Sequence, residues 1–207
     1  MADRVIAYID GFNLYYGLKE MGWQRYYWLN LAELTRLLLP ADQQLVVVKY
    51  FTALVSSTRA DPDKNRRQTT FLEALLTLPN LRIFYGHYLQ KQVQCRRCGA
   101  IWVTHEEKKT DVNIAAELLN DAYSDAFDVA LLASADSDLA DVVKDIPRRF
   151  AGKMVVVAFP PGRQSLALSN VASHSFMIGR ANLRKSRFPD SVRKADGFIL
   201  QRPASWR

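Results

Sequence analysis

Asp128-Val129-Ala130-Leu131-Leu132-Ala133-Ser134-Ala135-Asp136-Ser137-Asp138 runs an unbroken apolar stretch straight into two carboxylates one residue apart. An apolar run with no polar alternation is the pattern of a strand covered on both faces, at the centre of a parallel sheet. Packing does not account for the acids that follow, because charged side chains resist burial unless paired or bound to a cation. Two roles suit Asp136 and Asp138. They hold a cation at the carboxyl end of the strand, or they cap the next helix, a role worth about 1 kcal/mol.

The same arrangement stands near the start of the chain. Val5-Ile6-Ala7-Tyr8-Ile9 is followed by Asp10-Gly11-Phe12-Asn13. Ligands of open parallel sheets bind outside the carboxyl ends of the strands, so Asp10 and Asp136 belong to one edge. Gly11 permits a sharp turn with close backbone approach. Asn13 then stands near enough to orient Asp10 or a water. Asp10 is either a metal ligand or an Asx-turn cap on the helix over residues 12–20. Asp111, at the head of another helix, can lean over the same crevice. Clustered carboxylates raise one another's pKa unless a cation is present, and Mg²⁺ or Mn²⁺ is the hard, oxygen-seeking remedy.

Between these motifs, helices alternate with apolar strands. Aromatic residues 23–28 suit core or lid packing, and Asn30 caps a helix ended by Pro40. Strands are expected over residues 45–54, 81–88, 128–133 and 153–159. Helices are expected over 61–78, 110–123, 137–149 and 164–172. Arg66 and Arg67 are expected outside, with Phe71, Leu72, Leu75 and Leu76 on one buried face. In the helix from residue 110, capped by Thr110 or Asp111, the expected inward residues are Val112, Ala115, Ala116, Leu118 and Leu119. A short apolar run at 176–178 closes the fold. The alternation predicts an α/β fold with a parallel sheet of about five strands flanked by helices.

Composition narrows the class. With 207 residues, 49% hydrophobic and 24% charged, the chain suits one well-buried domain. No apolar run approaches the roughly 18 residues of a membrane span, and no signal-peptide pattern opens the sequence. Two cysteines do not make a disulfide framework, so a cytoplasmic protein is expected. Both thiols fall in Cys95-Arg96-Arg97-Cys98-Gly99, within a hairpin insertion at residues 90–105. That turn is half of a structural zinc site, to be completed by His87 and His105 or by a twofold partner in a homodimer. The alternative is two free surface thiols. His174 stands alone and reads as structural.

Charge is unevenly placed. Residues 180–207 hold eight Lys or Arg against two Asp, which is six of the chain's seven net positive charges. Such a segment, with Arg184, Lys185 and Arg187 in it, is either a polyanion-binding footprint or a solvated tail. Lys108, Lys109 and Arg163 fall on loops beside the expected crevice and are candidates for contacts to a nucleic-acid backbone. Ser134 or Ser137 is a candidate donor to a phosphate oxygen.

Three motifs in order, Tyr8-Ile9-Asp10-Gly11-Phe12-Asn13, Glu107-Lys108-Lys109-Thr110-Asp111-Val112 and Leu132-Ala133-Ser134-Ala135-Asp136-Ser137-Asp138, resemble those of the NYN domain family. That family is a branch of the PIN-like nucleases, and the chain is most similar to its LabA-like bacterial group. The resemblance spans roughly residues 4–180. It implies a Rossmann-like PIN fold over residues 1–179, with 180–207 as a basic extension. It further implies a metal-dependent ribonuclease with RNA as its partner. Asp10, Asn13, Asp111, Asp136 and Asp138 match the family's site positions, the four acids holding Mg²⁺ or Mn²⁺. The Cys-x-x-Cys insertion resembles one found in some members of the group.

Overall fold

Six strands lie parallel in one twisted sheet, in the order β3-β2-β1-β6-β7-β8. They are β1 (Asp3–Asp10), β2 (Gln43–Thr52), β3 (Leu81–Tyr85), β6 (Val129–Ala133), β7 (Met154–Phe159) and β8 (His174–Met177). The computed structural model describes residues 2–94 and 97–207, with the backbone alone over 87–93 and 102–108. The chain winds outward from β1 through β2 to β3. It then returns to the other side of β1 and winds outward again through β6, β7 and β8. The reversal lies between β1 and β6, where a crevice opens at the carboxyl edge of a doubly wound sheet. The sheet has one strand more than expected, because the apolar run at 176–178 belongs to an edge strand.

Both faces of β1 are buried, which is why its sequence does not alternate. Val5, Ala7 and Ile9 pack on one side with α1 (Gly11–Glu20), α2 (Leu31–Leu38) and α3 (Lys64–Leu75). Ile6 and Tyr8 pack on the other with α4 (Thr110–Tyr123), α5 (Ala140–Arg149) and α6 (Leu166–Val171). Asn30 caps α2 as expected, its side chain accepting from the Glu33 N–H at 2.9 Å.

Several expectations are corrected. In α4 the buried stripe is Ile114, Leu118 and Ala122, while Val112 is 68% exposed and Ala116 and Leu119 also face outward. The helix begins at Thr110 itself, so neither Thr110 nor Asp111 is its cap. Lys109 holds the cap position in the left-handed region (φ 80°) and gives no side-chain cap. Leu76 lies beyond the end of α3 and is exposed, while Arg67 is half-buried by an ion pair with Asp61. The expected strand 81–88 ends at Tyr85. Gly86 donates a last bond to the Thr52 carbonyl (2.7 Å), and the chain then leaves the sheet.

The insertion is wider than expected. It is an antiparallel hairpin of β4 (His87–Gln94) and β5 (Ile101–Lys108). His87 pairs with Lys108 at its base and His105 with Gln90. At about 3.3 Å per residue, His87 is roughly 23 Å along the strand from the cysteine turn. Cys95 lies outside the described residues, and Cys98 is an exposed free thiol.

Residues 180–207 are folded rather than a solvated tail. They form α7 (Arg180–Lys185), the hairpin β9 (Ser191–Arg193) and β10 (Ile199–Gln201), and a last 3₁₀ turn. Leu183, Phe188, Val192, Leu200 and Trp206 join the core beneath α1 to α3. The indole N–H of buried Trp28 donates to the Pro189 carbonyl at 2.8 Å. His174 is exposed on the edge strand, its ring beside that of Phe176. Among the described residues no helix is long and apolar enough to cross a membrane.

Candidate active site

Asp10 ends β1 at the switch point and is 2% exposed. Three donors hold it. The Asn13 backbone N–H reaches Oδ1 at 3.0 Å, the Asn13 amide reaches Oδ2 at 2.8 Å, and the Ser134 hydroxyl reaches Oδ2 at 2.9 Å. Ile9 pairs with Ala133 across the two parallel strands, so Ser134 necessarily emerges beside Asp10. Gly11 is required here by close approach: a Cβ would fall 2.6 Å from the Tyr50 hydroxyl and 2.7 Å from the Phe51 carbonyl oxygen.

The hydrogen bonds continue along the sheet edge. The Asn13 amide oxygen accepts from the Ala135 N–H at 3.3 Å, tying α1 to the loop after β6. The Asp136 N–H donates to the Ser134 oxygen at 3.1 Å, and Asp136 Oδ1 accepts from the Asp138 N–H at 3.0 Å. Asp10 and Asp136 are therefore both helix caps. Capping leaves lone pairs on each carboxylate, since an ionised carboxyl has about four acceptor sites. Ser134 is fully buried and engaged with Asp10, so it is not a phosphate contact; Ser137 is exposed.

The acids share one electrostatic field. Burial pushes the Asp10 carboxyl up, against its three hydrogen bonds, and Asp136 adds to the rise. Asp111 is pushed up to about 6, first by burial and then by the charges of Asp136, Asp10 and Asp138. The Thr110 hydroxyl beside it is buried without a hydrogen-bond partner. Among the described residues, no three His, Cys, Asp or Glu already converge closely enough to hold an ion. The charges of Asp10, Asp136 and Asp138 all act on Asp111, so the four acids share one crevice at the sheet edge.

The basic candidates divide. Lys109 is exposed at the head of α4, next to Asp111. Lys108 ends β5, and its side chain lies outside the described residues. Arg163 is committed elsewhere: it pairs with Glu20 and lies over the Tyr16 ring, 5.8 Å from the centroid. Arg184, Lys185 and Arg187 are exposed on and just after α7, against α2. Sequence reasoning missed Ser134 as the partner of Asp10. Aligning the ends of the two apolar runs would have found it.

The doubly wound parallel sheet, with acids gathered at its switch point, defines an α/β fold consistent with the PIN-like class. The NYN domain model matches residues 4–179, and the chain belongs to the NYN domain family, which is generally nuclease-like. It is also similar to a curated protein, 6-hydroxy-3-succinoylpyridine 3-monooxygenase HspA of Pseudomonas putida (strain DSM 28022 / S16). The two are 28% identical over 69% of this chain and 55% of that protein. The chain therefore spans about half the length of that relative. Among solved structures, a protein of unknown function from Vibrio parahaemolyticus RIMD 2210633 is similar in fold. Its TM-score is 0.56 at 20% identity, over 86% of this chain and 94% of that one.

Proposed function

We propose that this chain is a ribonuclease of the LabA-like group, hydrolysing RNA phosphodiester bonds with Mg²⁺ or Mn²⁺ at Asp10, Asp111, Asp136 and Asp138. The observation that carries this reading is the shared field of the four acids at the switch point, where the charges of Asp136, Asp10 and Asp138 add to burial in pushing Asp111 up to about 6. Four carboxylates are a hard-oxygen donor set of the kind these ions take. One or two such ions would neutralise the acids and supply Lewis-acid activation of the phosphodiester.

The chain's own groups position the reactants. Asn13 and Ser134 hold Asp10 in one rotamer, and the Asp136 cap fixes the loop that carries Asp138. The Ser137 hydroxyl, exposed between the last two acids, donates to a phosphate oxygen. Lys109 and, by its position, Lys108 offset the charge of the strand beside Asp111. Arg184, Lys185 and Arg187 extend a basic surface for flanking phosphates. Arg163 serves only if it leaves Glu20.

The test is cleavage of an end-labelled, partly single-stranded RNA in Mn²⁺, Mg²⁺ or EDTA, with Asp136→Asn purified alongside. Metal-dependent cleavage that is absent in the variant supports the reading. RNA bound but left intact in Mn²⁺ replaces it with a non-catalytic RNA-binding module.

A second reading draws on one observation, the similarity to a monooxygenase named for a substituted pyridine. On that reading the crevice takes a small heteroaromatic acid. Such a ligand would bind with little dependence on salt and would not compete with RNA at the basic surface.

A further inference from the structure

Beside the acidic edge lies a cavity of about 320 Å³ that none of the groups above uses. Its size is near the lower end of small-molecule sites, about 300–1,000 Å³. Eight aromatic residues line it, among them Tyr15 from α1, Tyr27 from the loop before α2, Phe71 from α3 and Trp206 from the last turn of the chain. The rings make a connected frame. Tyr15 and Tyr27 have centroids 4.9 Å apart, Tyr27 and Trp206 5.6 Å, and Phe71 and Trp206 6.2 Å. Burial raises the Tyr15 and Tyr27 phenols, so both keep their protons.

Two further features set this cavity apart from an oily void. Lys19, Lys64 and Arg67 line it against a single acid, Asp61, leaving an excess of two positive charges. Gly11, Phe12 and Thr52 also line it, so it reaches the carboxyl ends of β1 and β2, immediately after Asp10. An aromatic-lined chamber with a cationic rim suits a ring that carries an anionic arm. Unstacked bases of single-stranded RNA are recognised in this way, by stacking on aromatic side chains while cations meet the phosphates.

We propose that the cavity framed by Tyr15, Tyr27, Phe71 and Trp206 is a nucleobase subsite. It takes one splayed base of the RNA strand whose phosphodiester lies at the Asp10 edge. The proposal rests on the ribonuclease reading and deepens it. The folded C-terminal segment gains a role thereby, because Ser205 and Trp206 form part of the wall.

The test uses the full chain in EDTA, so that binding is read without cleavage, and single-stranded RNA decamers carrying one 2-aminopurine at successive positions. At one position the probe's fluorescence should be quenched. Tyr15→Leu, which keeps an apolar side chain on α1, should remove the quenching and weaken binding about tenfold, as expected for the loss of one stacked base. Ser205→Trp, which fills the cavity from its exposed edge, should do the same with an unchanged melting temperature. Equal affinity for an abasic decamer, or for both variants, would overturn the subsite, and so would binding of free AMP without binding of the decamer. Cleavage in Mn²⁺ by wild type, scored separately, keeps the two ideas apart. Cleavage without position-specific quenching sinks only the subsite, and quenching without cleavage sinks only the nuclease.

Discussion

Asp111 is the residue at which the cost of the site is most visible. Its carboxyl is pushed from its ordinary 3.8 to about 6. Between those values the folded chain binds the proton more tightly than the unfolded chain. The stability linked to this proton is therefore complete below about 3.8 and is lost as pH rises through about 6. In chelator at pH 7.5, Asp111→Asn should be more stable than wild type, by on the order of 1 kcal/mol once partial exposure of the group is counted. The gap should narrow by pH 4.5 and close below about pH 3.8, and Mn²⁺ should raise the wild-type melting temperature more at pH 7.5 than at pH 5. Urea and thermal melts of the pair across pH check both points, and a pH-independent gap contradicts them. Ser134→Ala makes the complementary case. It leaves a buried Asp10 oxygen short of one donor, so unfolding free energy should fall by about 1–3 kcal/mol, read from the urea midpoint.

At the scale of the element, α4 links the site to the core. Its first turn carries Asp111, and its later turns hold Glu117 and Asp121 against Lys49 of β2, a lysine only 4% exposed. The Tyr8 hydroxyl donates to the same Asp121 carboxylate. Lys49→Met should strand two acids beneath the helix and cost about 3 kcal/mol, near the lower end for a broken buried pair. Replacing Glu117 and Asp121 by Met and Asn in the same chain should recover most of that loss. Chemical denaturation of the three proteins decides it, and additive losses would contradict it. None of this was legible in the sequence. Lys49 falls inside an otherwise apolar strand, and its partners are 68 and 72 residues away. The α4 stripe was misjudged for a related reason. Val112, Ala116 and Leu119 are apolar, but so are Ile114, Leu118 and Ala122, and only packing against the sheet decides which stripe is buried.

For the whole molecule, the sheet was readable because β1, β6 and β7 are covered on both faces and their apolar runs are continuous. The acids were readable because two of them follow those runs directly. The fold of residues 180–207 was not, since Leu183, Phe188, Val192, Leu200 and Trp206 recur at four to eight residues and match neither helical nor strand spacing. Charge dominated that segment's composition and concealed its apolar half. The family match ends at residue 179, yet the core does not. A chain truncated after Gly179 should lose cooperative thermal unfolding, because Trp28 and Tyr27 lose their cover. A sharp melt within a few degrees of the full chain would show the segment to be dispensable.

The central claim is that the acids at the β1–β6 switch point act together on one divalent ion. Crystals of the full chain grown with Mn²⁺, measured at a wavelength where manganese scatters anomalously, test it most directly. The account predicts an anomalous peak bounded by Asp10, Asp111 and Asp136, and its loss in Asp111→Asn. Manganese bound elsewhere, or a peak indifferent to Asp111→Asn, would contradict it.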